Sequence, residues 1–281
     1  MSVLLGLLVG FGALRLLLLT APDLYRSPAL VRTNYRGSTV ATGGGLLVVL
    51  AVVLVEGSRI GLGALGVGHQ PGFDGTRPLV LLACVGFGLL GLLDDVLATG
   101  ADRGFRGHLH ALAQGRVTTG FVKLVAGVAL ALVIASAPGP EPRVHLIVDA
   151  VLIAGAANLA NLFDRAPGRA LKVGIVAWIP LAILAGGDAL GIAIAPVIGA
   201  FVAILPDDLG ERIMLGDAGA NVLGAVVGLA AVLETSPTTR AVIAVLLLGL
   251  NVASEWVSFG RVIDRVPYLR WADRLGSRPH P

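Results

Sequence analysis

Two aspartates, Asp94 and Asp95, close an apolar run (GFGLLGLLDD) and lead into a polar, glycine-rich stretch that ends near Lys123. Neighbouring residues on a helix point about 100° apart, so one carboxylate can face a metal while the other faces a second ligand or a proton acceptor. Mg2+ takes one or two carboxylates and draws further oxygens from water and from substrate phosphates, so few acids are needed where a pyrophosphate is present. The plain alternative is an ordinary helix end at a membrane surface, where a charged side chain reaches water.

Three further groups carry possible chemistry. Asn158, Asn161 and Asp164 recur at i, i+3 and i+6 in GAANLANLFD, which keeps them on one helix face. Polar side chains on an apolar helix must face protein, water or ligand, and hydrogen bonding between helices is the alternative to a binding role. Gly216 and Asp217 open another apolar run (MLGDAGANVLGAVVGL), where the glycines allow close approach and Asp217 is also suited to be the helix N-cap. Asn34-Tyr35-Arg36-Gly37 and the loop Gly104 to His108 share an aromatic-Arg-Gly core. The forks of Arg36 and Arg106 suit phosphate oxygens, and a positive anchor beside the membrane is the equal alternative. His108 is either a proton carrier or a structural histidine.

These residues need a scaffold, and the composition defines it. The chain has 281 residues, 56% hydrophobic and 14% charged, with a mean hydropathy of +0.86. That lies outside the range of soluble domains and implies an all-α, polytopic transmembrane bundle. Nine segments approach membrane-spanning length: 2–20, 39–55, 78–93, 119–137, 146–163, 171–187, 189–205, 213–233 and 239–258. Residues 1–258 read as one transmembrane domain and 259–281 as a basic cytoplasmic tail. The first segment lacks a basic leader and a clear cleavage site, so it reads as a retained helix. A single cysteine, Cys84, excludes disulfides within the chain and thiolate metal clusters. The net charge of +3 is dispersed over short loops and forms no stripe, which argues against nucleic acid as a partner.

Orientation follows from the basic residues. With the N-terminus outside, fifteen Arg and Lys fall in inner loops and the tail, against four (Arg59, Arg77, Arg143 and Arg240) in outer loops. Every polar motif named above then lies on the cytoplasmic side. That arrangement suits an enzyme joining a soluble phosphorylated substrate to a lipid. A small-solute transporter, the less favoured alternative, would place ionisable groups at mid-membrane.

Taken together, Asp94-Asp95, the N-x-x-N-x-x-D of Asn158, Asn161 and Asp164, the M-L-G-D-A-G-A of 214–220 and the early N-Y-R-G resemble the polyprenyl-phosphate N-acetylhexosamine-1-phosphate transferases. This superfamily includes the phospho-N-acetylmuramoyl-pentapeptide transferases and the UDP-GlcNAc:undecaprenyl-phosphate GlcNAc-1-phosphate transferases. The resemblance covers roughly residues 30 to 225. It implies Mg2+-dependent transfer (Mn2+ being a possible substitute) of a sugar 1-phosphate from a UDP-sugar to a polyprenyl phosphate. UMP is released, in bacterial envelope-polymer synthesis at the inner membrane. By the same resemblance Asp217 ligands the metal with Asp94, while Asp94 and Asp95 orient the pyrophosphate or activate the acceptor. Asn158, Asn161 and Asp164 line the nucleotide site, and Arg106, Lys123 or Lys172 neutralises charge, with Asn34, Arg36 and His108 further binding residues. A homodimer through glycine-rich faces is a further expectation. The chain departs from the pattern where D-G-x-D-G becomes Asp164-Arg165-Ala166-Pro167-Gly168, and where the lysine following the aspartate pair is Ala98. Those departures keep open a relative that binds polyprenyl phosphate without catalysis.

Overall fold

The computed structural model describes residues 2–34, 37–68, 75–97, 104–137 and 143–278, apart from the side chains of 104–106, 109 and 143. Arg36 and the side chain of Arg106 therefore lie outside the described residues. The chain begins with α1 (Val3–Thr20), a short α2 (Pro22–Tyr25) and a hairpin of β1 (Val31–Thr33) and β2 (Thr39–Ala41). Then follow α3 (Gly44–Ala64), α4 (Thr76–Leu97), α5 (Gly104–Ala113), α6 (Thr119–Ser136) and α7 (Arg143–Phe163). The second half holds α8 (Arg169–Ala185), α9 (Ala189–Leu209), α10 (Gly216–Glu234) and α11 (Pro237–Ala253), and ends in α12 (Phe259–Arg265) and α13 (Pro267–Arg274). Seven of these helices are long and apolar enough to cross a membrane, and α8 and α11 have 17 residues each. The protein is thus a multi-pass helical membrane protein. In hydrocarbon a helix satisfies its own backbone, which is why the apolar runs take this form.

Helix ends are set by local chemistry. Ser2, Thr118, Asp188 and Ser236 each accept a backbone N–H three residues on and start α1, α6, α9 and α11. The break between α8 and α9 falls at Gly186, with φ +52°, as the Gly186-Gly187-Asp188 sequence implies.

Three expectations are corrected. The segment that begins at 39 enters as strand β2, and helix α3 runs on past residue 55 to Ala64. It can do so because Glu56 is paired with Arg59 on the next turn, at 2.8 Å, and with Arg77 on α4, so Arg59 belongs to a helix and not to an outer loop. The stretch from Gly104, expected to be a loop, forms α5.

The centre of the bundle is α10, which packs against α3, α4, α7 and α8 and is buried along nearly its whole length. Close contact is possible because α4 carries Gly91 opposite the first turn of α10. A Cβ there would run into the Asp217 carbonyl and the Ala218 backbone. Every motif residue placed at the start of α10, or brought to it, is thereby held against the most buried of the candidate membrane-spanning helices.

Candidate active site

The first turn of α10 gathers carboxylates from three other parts of the chain. A helix leaves its first N–H groups without intrahelical partners. Here the N–H of Leu215 donates to Asp208 Oδ1 at 3.0 Å, that of Gly216 to Asp164, and those of Asp217 and Ala218 to the two oxygens of Asp95 at 3.1 and 3.0 Å. Leu215 is the N-cap residue, so Asp217 is not the cap as its sequence position allowed. Its own carboxylate is left to point elsewhere. Gly216 adopts φ +73°, and a side chain at this position would also meet Asp95 and the Thr42 carbonyl. Burial pushes the Asp164 carboxyl well above its usual range, and the charges of Asp208, Asp217 and Asp95 push it further in the same direction.

With its backbone capped by others, Asp217 faces the side chains of three neighbouring helices. Its Oδ2 accepts from Lys123 on α6, by a short contact, and from Asn161 Nδ2 on α7 at 3.0 Å. Lys123 Nζ also reaches Asp94 Oδ2 at 3.4 Å, and Asp94 lies within hydrogen-bond reach of Asp217. Asp94 and Asp95 diverge as adjacent helical residues must: one meets charged side chains and the other the backbone of α10. The Arg32 guanidinium ties the β1 strand to the Asp95 carbonyl.

The same division recurs in a pair that sequence reasoning passed over. Asp207 and Asp208 end α9 just as Asp94 and Asp95 approach the end of α4. Asp207 binds Arg15 at 2.6 Å and Arg212 at 2.8 Å, while Asp208 turns to the backbone of Leu215 and of Gly168, the latter at 2.6 Å. Asp208 thus holds both the start of α10 and the turn in which Pro167 stands. The signal was present in the sequence, since LPDD repeats the form of LLDD.

Of the other expected residues, Asn158 donates to Asn251 on α11 at 2.6 Å and lines a cavity of about 730 Å³ with Asp94, Lys123 and Asn161. His108 lines the same cavity, with its Nδ1 2.8 Å from the Thr118 hydroxyl. Asn34 is placed apart, where it closes its own turn through the Ser38 N–H at 2.9 Å and donates to Glu211 at 2.7 Å. Lys172 is also apart, donating to backbone carbonyls around the end of α13.

The donor set bears on a divalent cation. Among the described residues no three His, Cys, Asp or Glu side chains converge as metal ligands. Asp95 is fully engaged by backbone N–H groups, which leaves Asp94 and Asp217 as the pair available. These two converge on a cationic group already, the Lys123 ammonium, and two carboxylates are within what Mg2+ takes from protein when phosphates supply the rest. The residues present therefore fit such an ion.

No family model matches the chain. It is 28% identical over 226 residues to the phospho-N-acetylmuramoyl-pentapeptide-transferase of Moorella thermoacetica, an alignment that covers 72% of this chain and 70% of that one. This distant likeness supports the resemblance seen in the motifs at the level of a transferase superfamily of membrane enzymes.

Proposed function

We propose that the protein transfers a sugar 1-phosphate from a UDP-sugar to a polyprenyl phosphate and releases UMP, with Asp217, Asp94, Lys123 and Asn161 at the reacting centre. One observation carries this reading. The 730 Å³ cavity is walled by Phe87, Leu90, Leu124, Val128, Leu248 and Val252, and is polar where Asp94, Lys123 and Asn161 meet. A long hydrocarbon ending in a phosphate has that same division. The excess of Arg and Lys in alternate loops supports an orientation with the N-terminus outside, in which the polar end would face the cytoplasm, where a nucleotide sugar is available, and in a bacterium the membrane would be the inner one.

The reaction needs an acceptor phosphate oxygen to form a bond to the sugar-bearing phosphorus while the bond to UMP breaks. Little covalent chemistry is asked of the protein, and positioning with charge neutralisation supplies most of the effect. Lys123 and Asn161 can bind phosphate oxygens once they are released from Asp217. Asp217 and Asp94 would hold Mg2+, which when bound neutralises charge on the pyrophosphate. Asp95, Asp164 and Asp208 keep the first turn of α10, and so Asp217, in place. The apolar walls exclude water from the transferring group.

The reading is tested by UMP release from purified protein in detergent, with undecaprenyl phosphate, a panel of UDP-sugars, and Mg2+ present or absent. Metal-dependent release that vanishes in Asp217→Asn is the expected result. Protein that binds polyprenyl phosphate yet releases no UMP with any donor would instead be a binding partner without catalysis, the reading that Pro167 in place of an aspartate favours.

A further inference from the structure

A second cavity, of about 670 Å³, lies between the end of α7, the start of α8 and the tail helices α12 and α13. The tail is fixed against the bundle on each side of it. Phe259 stacks on Phe163 with centroids 5.3 Å apart, and Arg169 grips both oxygens of Asp273 at 2.6 and 2.8 Å. Lys172 adds its bonds to the carbonyls at the end of α13. The space these contacts leave open is therefore part of the fold.

Its charge is one-sided. Five arginines line the cavity against two aspartates, Asp264 and Asp273, and Asp273 is already engaged by Arg169. Arg165, Arg270 and Arg274 make no side-chain hydrogen bond or ion pair among the described residues. Arginine forks directed at one space without carboxylate partners repel one another, and they match the oxygens of a phosphate in charge and geometry. Tyr268 and Trp271, 72% and 67% exposed, flank Arg270 on α13. Such aromatics beside basic residues at the end of a membrane bundle belong at headgroup depth.

We propose that this arginine-lined cavity binds a phosphate-bearing anion, supplied by a lipid headgroup or by a free phosphate compound. The site adjoins the larger cavity, with Arg165 on the wall between them, and does not rest on the transfer reaction. The tail is then a clamp, with Arg270 and Arg274 on one jaw and Arg165 on the other.

The test uses the full chain in a non-ionic detergent and native mass spectrometry, titrating phosphatidylglycerol in one arm and inorganic pyrophosphate in the other. Saturable binding of one ligand per chain is expected, weakened about tenfold in Arg270→Gln/Arg274→Gln. Arg165→Gln, which leaves the tail intact, should weaken the same ligand, and so separates loss of the site from loss of tail docking. Sensitivity of the lipid alone assigns a headgroup, and sensitivity of pyrophosphate assigns a free phosphate compound. Affinities for both ligands that are unchanged in both variants would overturn the proposal.

Discussion

The two ends of the bundle treat buried acids in opposite ways. At the end away from Asp217, Glu56 meets Arg59 and Arg77, and Asp149 on α7 meets Arg240 on α11 at 2.7 Å. Glu56 and Asp149 are each paired with arginine, and the result is a closed ion pair that ties one helix to another. At the Asp217 end, Asp94, Asp95, Asp164, Asp208 and Asp217 surround one helix start, and Lys123 is the cation in contact with Asp94 and Asp217. Three of the five carboxylates are satisfied by backbone N–H groups, which binds them to structure. The remaining two share a lysine beside a cavity. Paired acids build a scaffold, and acids left in excess over their cations mark the place where a further cation and an anionic substrate can enter.

The comparison is sharpened most by removing one acid from each end. Asp217→Asn should lower UMP release roughly a thousandfold, the scale of losing a group that stabilises transition-state charge. Its thermal midpoint in detergent should stay near that of the parent, because the Asp217 backbone N–H still donates to Asp95. Asp149→Ala should do the reverse. It leaves Arg240 without its partner at a site where Asp149 is 2% exposed, and breaking such a pair costs about 3–5 kcal/mol. The folded fraction of that variant should turn over normally. If Asp149→Ala lost turnover per folded molecule, or Asp217→Asn lost chiefly stability, the division between the two ends would fail.

How much of this was legible in the sequence depended on which residues signal to which partners. Apolar runs of membrane length pointed to a multi-pass helical bundle, and seven helices among the described residues are long and apolar enough to span. The spacing of Asn161 and Asp164 put them on one face, and both meet the start of α10, while adjacent Asp94 and Asp95 were expected to diverge and do. Helix α3 was cut short because Glu56 and Arg59 look like a loop until Arg77, 21 residues on, is seen to close the pair. The hairpin of Val31–Thr33 and Thr39–Ala41 has strands of three residues each, too short for an alternating pattern to register. Asp208 was missed because its two donors are the backbone N–H groups of Gly168 and Leu215, and a backbone donor has no sequence signature. Lys172 has a residue type suited to phosphate, yet its nearest acceptors are the carbonyls at the end of a helix a hundred residues away.

Two smaller effects separate holding Asp217 from being Asp217. Asp208→Ala leaves the Leu215 and Gly168 N–H groups without an acceptor, and a buried unsatisfied donor costs about 1–3 kcal/mol each. Stability measured by thermal denaturation should fall by that order, and turnover should fall less than in Asp217→Asn. Asp208→Asn, which keeps one carbonyl oxygen, should recover part of both. A loss of turnover in Asp208→Ala as complete as in Asp217→Asn would mean that Asp208 touches substrate and does more than position the helix.

The smallest effect expected is a change of slope with pH. Asp164 is held above the usual carboxyl range, chiefly by burial and then by the charges of Asp208, Asp217 and Asp95. It therefore stays protonated in the fold at pH values where the unfolded chain has already released that proton. The unfolded state then binds fewer protons, and the contribution of Asp164 to stability declines as pH rises from the ordinary aspartate value to the raised one. Asp164→Asn keeps an oxygen to accept the Gly216 N–H and cannot ionise, so this decline should be absent. Thermal midpoints of the two proteins, measured in one detergent across that window, should diverge in favour of the variant as pH increases. Parallel curves would show that Asp164 is already ionised in the fold, and that the negative charge around the start of α10 is greater by one than the burial of this carboxyl implies.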